Sequence, residues 1–172
     1  MTAPAGVLTI QIDDRSVSMT VSGGATTEFP IGPLALIEGP LGTADPPAPA
    51  DLTNALGYVH DHVDDLLIAA QSIAAAPFVI IAGDHALAMA RVEVGADTVP
   101  DDYELTRADA DEVFRTLATE RLDDRRCNPG LDEGHVTSIV ATCCVILGIM
   151  RRLDLQEVRV ASSGSLSDRG GT

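Results

Sequence analysis

The stretch over residues 6–21 constrains the fold most, because it predicts a β-hairpin with an unusual turn. Apolar and polar residues alternate on both sides of a short polar break at Asp14-Arg15. The alternating apolar positions are Leu8, Ile10 and Ile12 before the break and Val17, Met19 and Val21 after it. In many phosphate-handling α/β folds such a turn is glycine, so that backbone N–H groups can approach the phosphate. Here the turn is charged and bulky, because Asp13 precedes Asp14 and Arg15.

The rest of the chain predicts strands and helices in alternation. Further strands are predicted over residues 25–31, 78–82 and 157–161, and the 78–82 strand, which lacks alternation, is expected to be buried on both faces. Helices are predicted over residues 34–38, 52–74, 86–92 and 132–153, with another that begins after Thr106. Asp51 is the predicted cap of the long helix, and Thr106 with Asp109 forms a variant capping box.

A three-stranded meander continued by parallel strands and crossing helices predicts a mixed, layered α/β domain with the strand order of ribonuclease-H-like folds. A length of 172 residues fits a single domain with a real core. We expect the domain to span residues 1–172, with order over about 5–166 and a flexible tail over 167–172.

The charge balance excludes several classes of partner. The net charge is −15, and every basic side chain other than histidine is arginine. A surface this acidic repels nucleic acid and anionic membranes, and the pairs Arg125-Arg126 and Arg151-Arg152 both have carboxylates nearby. The N-terminus has no signal-peptide pattern, the apolar run over 136–150 is too short to span a bilayer, and the three cysteines lack metal spacing. We therefore expect a cytoplasmic protein without a nucleic-acid or membrane partner.

Short motifs spread over nearly the whole chain carry a resemblance to a known family. They are Phe29-Pro30-Ile31-Gly32 with Leu36 and Glu38, Leu105-Thr106, Gly130-Leu131 before an apolar helix, and the stretch from Val160 to Leu166. They resemble the second lobe of the exopolyphosphatase and guanosine pentaphosphate phosphatase (Ppx/GppA) family, which belongs to the actin-like ATPase superfamily. The resemblance implies a single ribonuclease-H-like domain, without the family's first lobe and the catalytic glutamate that this lobe carries.

The chain departs from the family where the family does its chemistry. Where the family has D-I-G-G-G-S-T, residues 11–17 read Gln-Ile-Asp-Asp-Arg-Ser-Val, so Gln11 replaces the Asp that organises metal and phosphate. Where the family has G-T-x-T-T, residues 83–87 keep Gly83 and lose the hydroxyls, and His135 stands where the family has an Arg. An amide supplies no charge to orient Mg²⁺ or a water, and carboxylates in the turn repel phosphate.

The resemblance implies a set of candidate ligand-binding residues at two loops. They are Gln11, Asp13, Asp14, Arg15, Ser16, Gly83, Asp84 and His85. The three carboxylates of this set, Asp13, Asp14 and Asp84, are weak candidates for binding a divalent cation if the two loops meet within about 5 Å of a common point. The alternative is two separate solvated turns, since Asp is common in turns.

These departures predict a catalytically degenerate domain, a pseudo-phosphatase that acts through protein association or weak ligand sensing. No catalytic residue is assigned and no cofactor is expected, with Mg²⁺ needed only if some phosphate chemistry survives. The alternative is a phosphoanhydride hydrolase, of the exopolyphosphatase or guanosine pentaphosphatase type, completed by a partner chain that carries the missing lobe. A homo-oligomer or a partner protein is expected. The helix over 132–153 is apolar nearly all round, so it is expected to lie either in the core against the sheet or against a partner chain, where it would contribute most to the contact.

Overall fold

The computed structural model describes residues 6–73 and 76–162. Six strands form one mixed sheet, in the order β3-β2-β1-β4-β6-β5. The strands are β1 (Val7–Ile12), β2 (Val17–Val21), β3 (Thr26–Phe29), β4 (Phe78–Ala82), β5 (Glu104–Thr106) and β6 (Glu157–Ala161). The helices are α1 (Pro33–Glu38), α2 (Pro49–Ala69), α3 (Asp84–Val94), α4 (Arg107–Thr119), α5 (Leu122–Arg125) and α6 (Ile139–Arg152), with a 3₁₀ turn at Gln71–Ile73. The predicted flexible tail lies outside the described residues.

The sheet confirms the predicted α/β architecture. The hairpin of β1 and β2 is antiparallel and pairs Ile12 with Val17, so the predicted polar break is its turn. β3 continues the meander on one side of the hairpin, and β4 lies parallel to β1 on the other. β6 is parallel to β4, and β5 is antiparallel to β6. The sequence did not predict β5, because three residues are too few to show a period-two pattern.

The helix α6 forms the centre of the helical layer. It contacts α1, α2, α3 and α4, and every residue from Ile139 to Met150 is buried. Of the two predicted alternatives, cover within the chain is therefore confirmed, whereas the role of this segment as a contact surface for a partner is wrong, because helices of the same chain already cover it. Its predicted start at residue 132 is also wrong. Residues 133–138 form consecutive turns, in which the His135 amide donates to the Asp132 carbonyl oxygen at 3.1 Å.

The caps of the other helices were predicted with mixed success. The Asp109 amide donates to Thr106 Oγ1 at 3.1 Å, which confirms Thr106 as the cap of α4. Asp51 does not cap α2, because Pro49 begins the helix and Ala48 is the cap residue. A proline fits the first helical position, where its missing N–H has no intrahelical partner. Asp51 instead places its negative charge in the first turn, near the positive end of the helix dipole.

The strand β4 is only partly buried. Ile81 and Ala82 are fully buried, as the sequence predicted, whereas Phe78 is 65% exposed. Phe78 is the first residue of this central strand, so it lies at the end of the sheet that is farthest from the hairpin turn. In the part of the chain over 6–73 and 76–162, no helix has both the length and the apolarity to cross a membrane.

Candidate functional site

A pocket of about 530 Å³ opens where the parallel strands β1 and β4 end. Its walls come from the hairpin turn, the first turn of α3 and the turns before α6. The lining residues are Gln11, Ile12, Asp13, Asp14, Arg15, Ser16, Asp84, His85 and His135. We call this the hairpin-tip pocket. The two loops that carry the predicted ligand-binding residues therefore meet at one site, and the separate-turns alternative does not describe their placement.

The hairpin turn is held by its own backbone and by backbone contacts with the start of α1 and the residue before it. The Asp13 amide donates to the Ser16 carbonyl oxygen at 2.9 Å, which closes the turn. The Leu34 amide donates to the Asp14 carbonyl oxygen at 2.7 Å. Gly32 lies so close to the turn that an added Cβ would be 2.4 Å from the Ser16 backbone nitrogen. The turn is thus positioned by main-chain geometry as well as by its own side chains.

Gly83 lies behind the pocket, at the junction of β4 and α3. Its φ is 115°, a backbone conformation that L side chains rarely adopt. A Cβ at this position would also meet the Ile12 carbonyl oxygen at 2.4 Å. The glycine therefore allows β4 to turn into α3 directly against the end of β1, which brings the two loops together.

His85 is buried between the two loops and the core helix. It is 6% exposed, and its Nε2 lies 2.8 Å from Asp14 Oδ1. Its Nδ1 lies 3.4 Å from the Thr142 hydroxyl oxygen on α6. The sequence predicted His85 as a site residue. It did not predict Thr142, because Thr142 lies within the apolar run of α6 and no motif distinguishes it there.

His135 is a pocket residue that the candidate set omitted. Its ring meets the His85 ring edge to face, with 5.2 Å between centroids, and its Nδ1 lies 2.8 Å from Asp132 Oδ1. Burial disfavours the charged form of Asp132, but the hydrogen bond with His135 and the charge of Arg91 outweigh it, so the pKa of Asp132 is lowered. The signal was present in the sequence, since His135 occupies the place of an Arg in the resembled family.

The pocket has a negative balance of charge. Of the residues that the structure describes, Asp13, Asp14 and Asp84 line it together with one arginine, Arg15. Arg15 forms an ion pair with Glu38 of α1, and Asp13 Oδ1 accepts a hydrogen bond from Gln11 Nε2 at 3.2 Å. Among the described residues, the arginine that lines the pocket is therefore already paired with a carboxylate outside it.

The arrangement does not form a cation site. Within residues 6–73 and 76–162, no three His, Cys, Asp or Glu side chains are placed so that they could hold a metal ion. Asp14 is directed to His85 instead, at hydrogen-bonding distance. The side chains present here thus do not fit the Mg²⁺ that the resemblance implies for phosphate chemistry.

The cysteines supply no evident nucleophile at this site. Cys143 and Cys144 are buried in α6, and burial raises the pKa of the Cys144 thiol to about 12. Burial also raises the pKa of Cys143. A thiol needs to ionise to react, so both act as small apolar core residues.

Comparison with solved structures identifies the fold. An exopolyphosphatase-like protein has a TM-score of 0.83 and 19% identity over 92% of this chain. The type II variant of the Aquifex aeolicus Ppx/GppA phosphatase has a TM-score of 0.80 and 14% identity over 98% of the chain. An exopolyphosphatase from Cytophaga hutchinsonii has a TM-score of 0.71 and 16% identity over 92% of the chain. The chain has the fold of one part of the Ppx/GppA phosphatases.

This Ppx/GppA-like domain corresponds to only part of each of these proteins. It covers 55%, 58% and 53% of their chains, respectively, which agrees with the predicted resemblance to a single lobe. No protein-family model matches the sequence, and no curated protein is significantly similar to it. At identities this low the comparison shows the fold, so the activity has to be argued from the residues of the pocket.

Proposed function

We propose that this Ppx/GppA-like domain is catalytically degenerate and acts through association with another protein or through weak sensing of a ligand. The observation that carries the proposal is the charge of the hairpin-tip pocket. Three carboxylates line it, and its one guanidinium is engaged with Glu38. A site that binds and hydrolyses polyphosphate needs the opposite balance, because phosphate oxygens are stabilised by cations and N–H donors.

The size of the electrostatic effect supports this conclusion. Two like unit charges about 5 Å apart repel by about 3 kcal/mol at an effective dielectric constant of about 20. Because Asp14 is 72% exposed, solvent reduces this figure at its position. Even so, three such carboxylates oppose the binding of a polyanion. The contacts of the turn with Gly32 and Leu34 hold Asp13 and Asp14 at the pocket, and Asp84 is held there by α3.

The polar groups at the end of β1 also lack the charge that catalysis requires. Gln11 presents an amide where the resembled family has a metal-organising carboxylate, and this amide donates to Asp13. His85 is buried, its Nε2 contacts Asp14 and its Nδ1 contacts the buried Thr142 hydroxyl, so both ring nitrogens are engaged and neither is free to activate a water. These contacts favour a binding or structural role for the pocket.

Phosphate release from polyphosphate, guanosine pentaphosphate and ATP, with and without Mg²⁺ or Mn²⁺, tests the proposal. We expect no release above the rate of a blank, while a Ppx/GppA phosphatase assayed in parallel is active. Metal-dependent release that is lost in Ser16→Ala, with the fold intact, would contradict the proposal. Ser18→Ala is the matched control, because Ser18 lies on β2 outside the pocket lining.

A thermal-shift screen with the same compounds tests the sensing part of the proposal. A ligand at about 100 times its dissociation constant adds about 2.7 kcal/mol of stability, which for a domain of this size raises the melting temperature by roughly 5–10 °C. A shift that persists without turnover supports sensing. If no compound shifts the melting temperature, the proposal retains only association, and light scattering of the purified chain then distinguishes a homo-oligomer from a monomer that needs another partner.

A second function is favoured by the partial coverage of the solved structures. Because the chain spans about half of each of these phosphatases, a partner chain with the remaining lobe could complete a phosphoanhydride hydrolase. In that complex Ser16 and the loop at Gly83 would face the substrate. Phosphate release that appears only after a protein with the other lobe is added, and that Ser16→Ala abolishes, would establish this alternative.

A further inference from the structure

Four polar groups form a continuous path from the mouth of the hairpin-tip pocket to the core. Asp14 Oδ1 lies 2.8 Å from His85 Nε2, and His85 Nδ1 lies 3.4 Å from Thr142 Oγ1. The Thr142 hydroxyl also lies 3.1 Å from the Ser138 carbonyl oxygen, at the start of α6. Asp14 is 72% exposed at one end of the path, whereas Thr142 is fully buried at the other. The path therefore links solvent at the pocket with the first turn of the central helix.

The hydrogen-bonding capacity of these groups fixes the direction of the contacts. An ionised carboxylate only accepts, so His85 must donate its Nε2–H to Asp14. In the neutral ring this leaves Nδ1 without a proton, and it then accepts from Thr142. The Thr142 hydroxyl has one proton, for which the His85 nitrogen and the Ser138 carbonyl oxygen compete.

Removal of Asp14 from the contact changes this competition. The ring can then carry its proton on Nδ1 and donate it to Thr142 Oγ1. The Thr142 proton is in that case fully available to the Ser138 carbonyl oxygen, which strengthens a hydrogen bond within the first turn of α6. A group in the pocket that draws Asp14 Oδ1 away from His85 Nε2 would have the same effect on the ring as removal of Asp14.

We propose that His85 is a positioning residue that transmits the state of Asp14 in the pocket to the first turn of α6 by a change of imidazole tautomer. This inference goes beyond the proposed function, because it holds whether or not the pocket hydrolyses a phosphoanhydride. Among the described residues, the other charged and titratable groups of the pocket are Asp13, Arg15, Asp84 and His135, and the His135 ring contacts His85 edge-on and is itself held by Asp132. None of them contributes the hydrogen bonds of the path.

Nitrogen-15 NMR of the imidazole rings tests the proposal directly. The chain has four histidines, and His85→Gln assigns the signals of His85. At pH 8, where an ordinary imidazole is neutral, we expect the wild-type His85 ring to be protonated at Nε2. In Asp14→Ala we expect the population to shift to Nδ1–H, with changed amide signals over residues 138–143. Asp13→Ala is the matched control, since Asp13 lines the same pocket but contacts Gln11, and it should leave both readouts unchanged.

Substitutions of Thr142 separate transmission from a general loss of structure. Thr142→Val keeps the shape of the side chain and removes the hydroxyl, so Asp14→Ala should no longer change the amide signals at the start of α6 in that background. Thr142→Ser restores the hydroxyl and should restore the response. The proposal is overturned if the wild-type ring is protonated at Nδ1 or at both nitrogens, if Asp13→Ala and Asp14→Ala act alike, or if the response persists in Thr142→Val. Melting temperatures of all variants verify that each is folded.

Discussion

The hairpin-tip pocket and the helical layer around α6 are stabilised by different kinds of contact. Around α6 the contacts are apolar and continuous, and every residue from Ile139 to Met150 is buried. At the pocket the side chains are polar, and their positions depend on close backbone approaches at Gly32 and Gly83 and on single hydrogen bonds such as that of His85. The free energy of folding therefore comes mainly from the helical layer, whereas the geometry of the pocket depends on a few specific residues.

The largest expected effect lies in the helical layer. Ile146→Ala removes a fully buried side chain from α6, and we expect a loss of about 2–5 kcal/mol in the free energy of unfolding. Ile68→Ala is the matched control, because Ile68 on α2 is 81% exposed, and its effect should stay within about 0.5 kcal/mol. Urea titration measures both. Equal losses in the two variants would mean that α6 is not the core of this domain.

A smaller loss is expected where β4 turns into α3. Gly83→Ala places a Cβ 2.4 Å from the Ile12 carbonyl oxygen at a φ of 115°, and strain of this kind costs about 1–3 kcal/mol. Gly57→Ala is the control, since Gly57 lies within α2 and an added Cβ meets nothing within 4 Å. We expect Gly57→Ala to stabilise the domain by about 0.5–1 kcal/mol, because alanine favours a helix. Urea titration that showed Gly83→Ala to be neutral would refute the close contact of the two loops.

The sequence predicted the structural elements that depend on local patterns of residues. The hairpin, β4, β6 and the Thr106 cap are confirmed, because alternation and capping chemistry act over a few residues. The sequence predicted that α6 is covered but left open whether by the core of the chain or by a partner, since an apolar helix has the same pattern in both cases.

The candidate site was predicted in the same uneven way. Seven of the eight candidate residues line one pocket and the eighth, Gly83, lies behind it, because parallel strands place their carboxyl ends at one edge of a sheet. The contacts of His85 with Thr142 and His135 were not predicted, because they join segments about 50 residues apart and depend on side-chain direction. Whether these residues bind a ligand stays a prediction.

The pH dependence of stability distinguishes the two regions further. His60 lies on α2, and its Nε2 is buried with no hydrogen-bond partner among the described residues. Burial, together with the charges of Arg151 and Arg152, lowers the pKa of His60. His60 therefore takes up a proton at a higher pH in the unfolded chain than in the folded chain. Protonation of His60 costs no stability above its ordinary pKa of about 6.5, but it lowers the free energy of unfolding as the pH drops from there towards the lower folded pKa.

His60→Gln should remove the loss of stability that protonation of His60 causes between about pH 6.5 and the lower folded pKa. Urea titrations at a series of pH values measure it. His62→Gln is the control, because His62 is also on α2 and bonds the Tyr58 carbonyl oxygen through Nδ1. An unchanged pH profile in His60→Gln would show that the α2–α6 contact does not disfavour a charge at this position.

The smallest effect is expected at the rim of the pocket. Glu38→Gln breaks the ion pair with Arg15, but both side chains are more than half exposed, at 57% and 63%. Exposed pairs of this kind add little to stability, so the urea midpoint should not change measurably. The variant does free the guanidinium of Arg15, which lines the pocket. A phosphate-dependent thermal shift that appears in Glu38→Gln but not in the wild type would show that Glu38 competes with an anion for Arg15.

The strand order has a consequence for how the domain folds. The meander of β1, β2 and β3 closes through short turns, whereas β4 pairs with β1 across about 70 residues of chain. Pairings between distant segments form slowly, since the entropy of loop closure is lost before the contact is made. Because one wall of the pocket comes from the hairpin and another from the residues that follow β4, the pocket is assembled only at the late, non-local step. Amides of the hairpin should therefore gain protection from hydrogen exchange during refolding before those of β4.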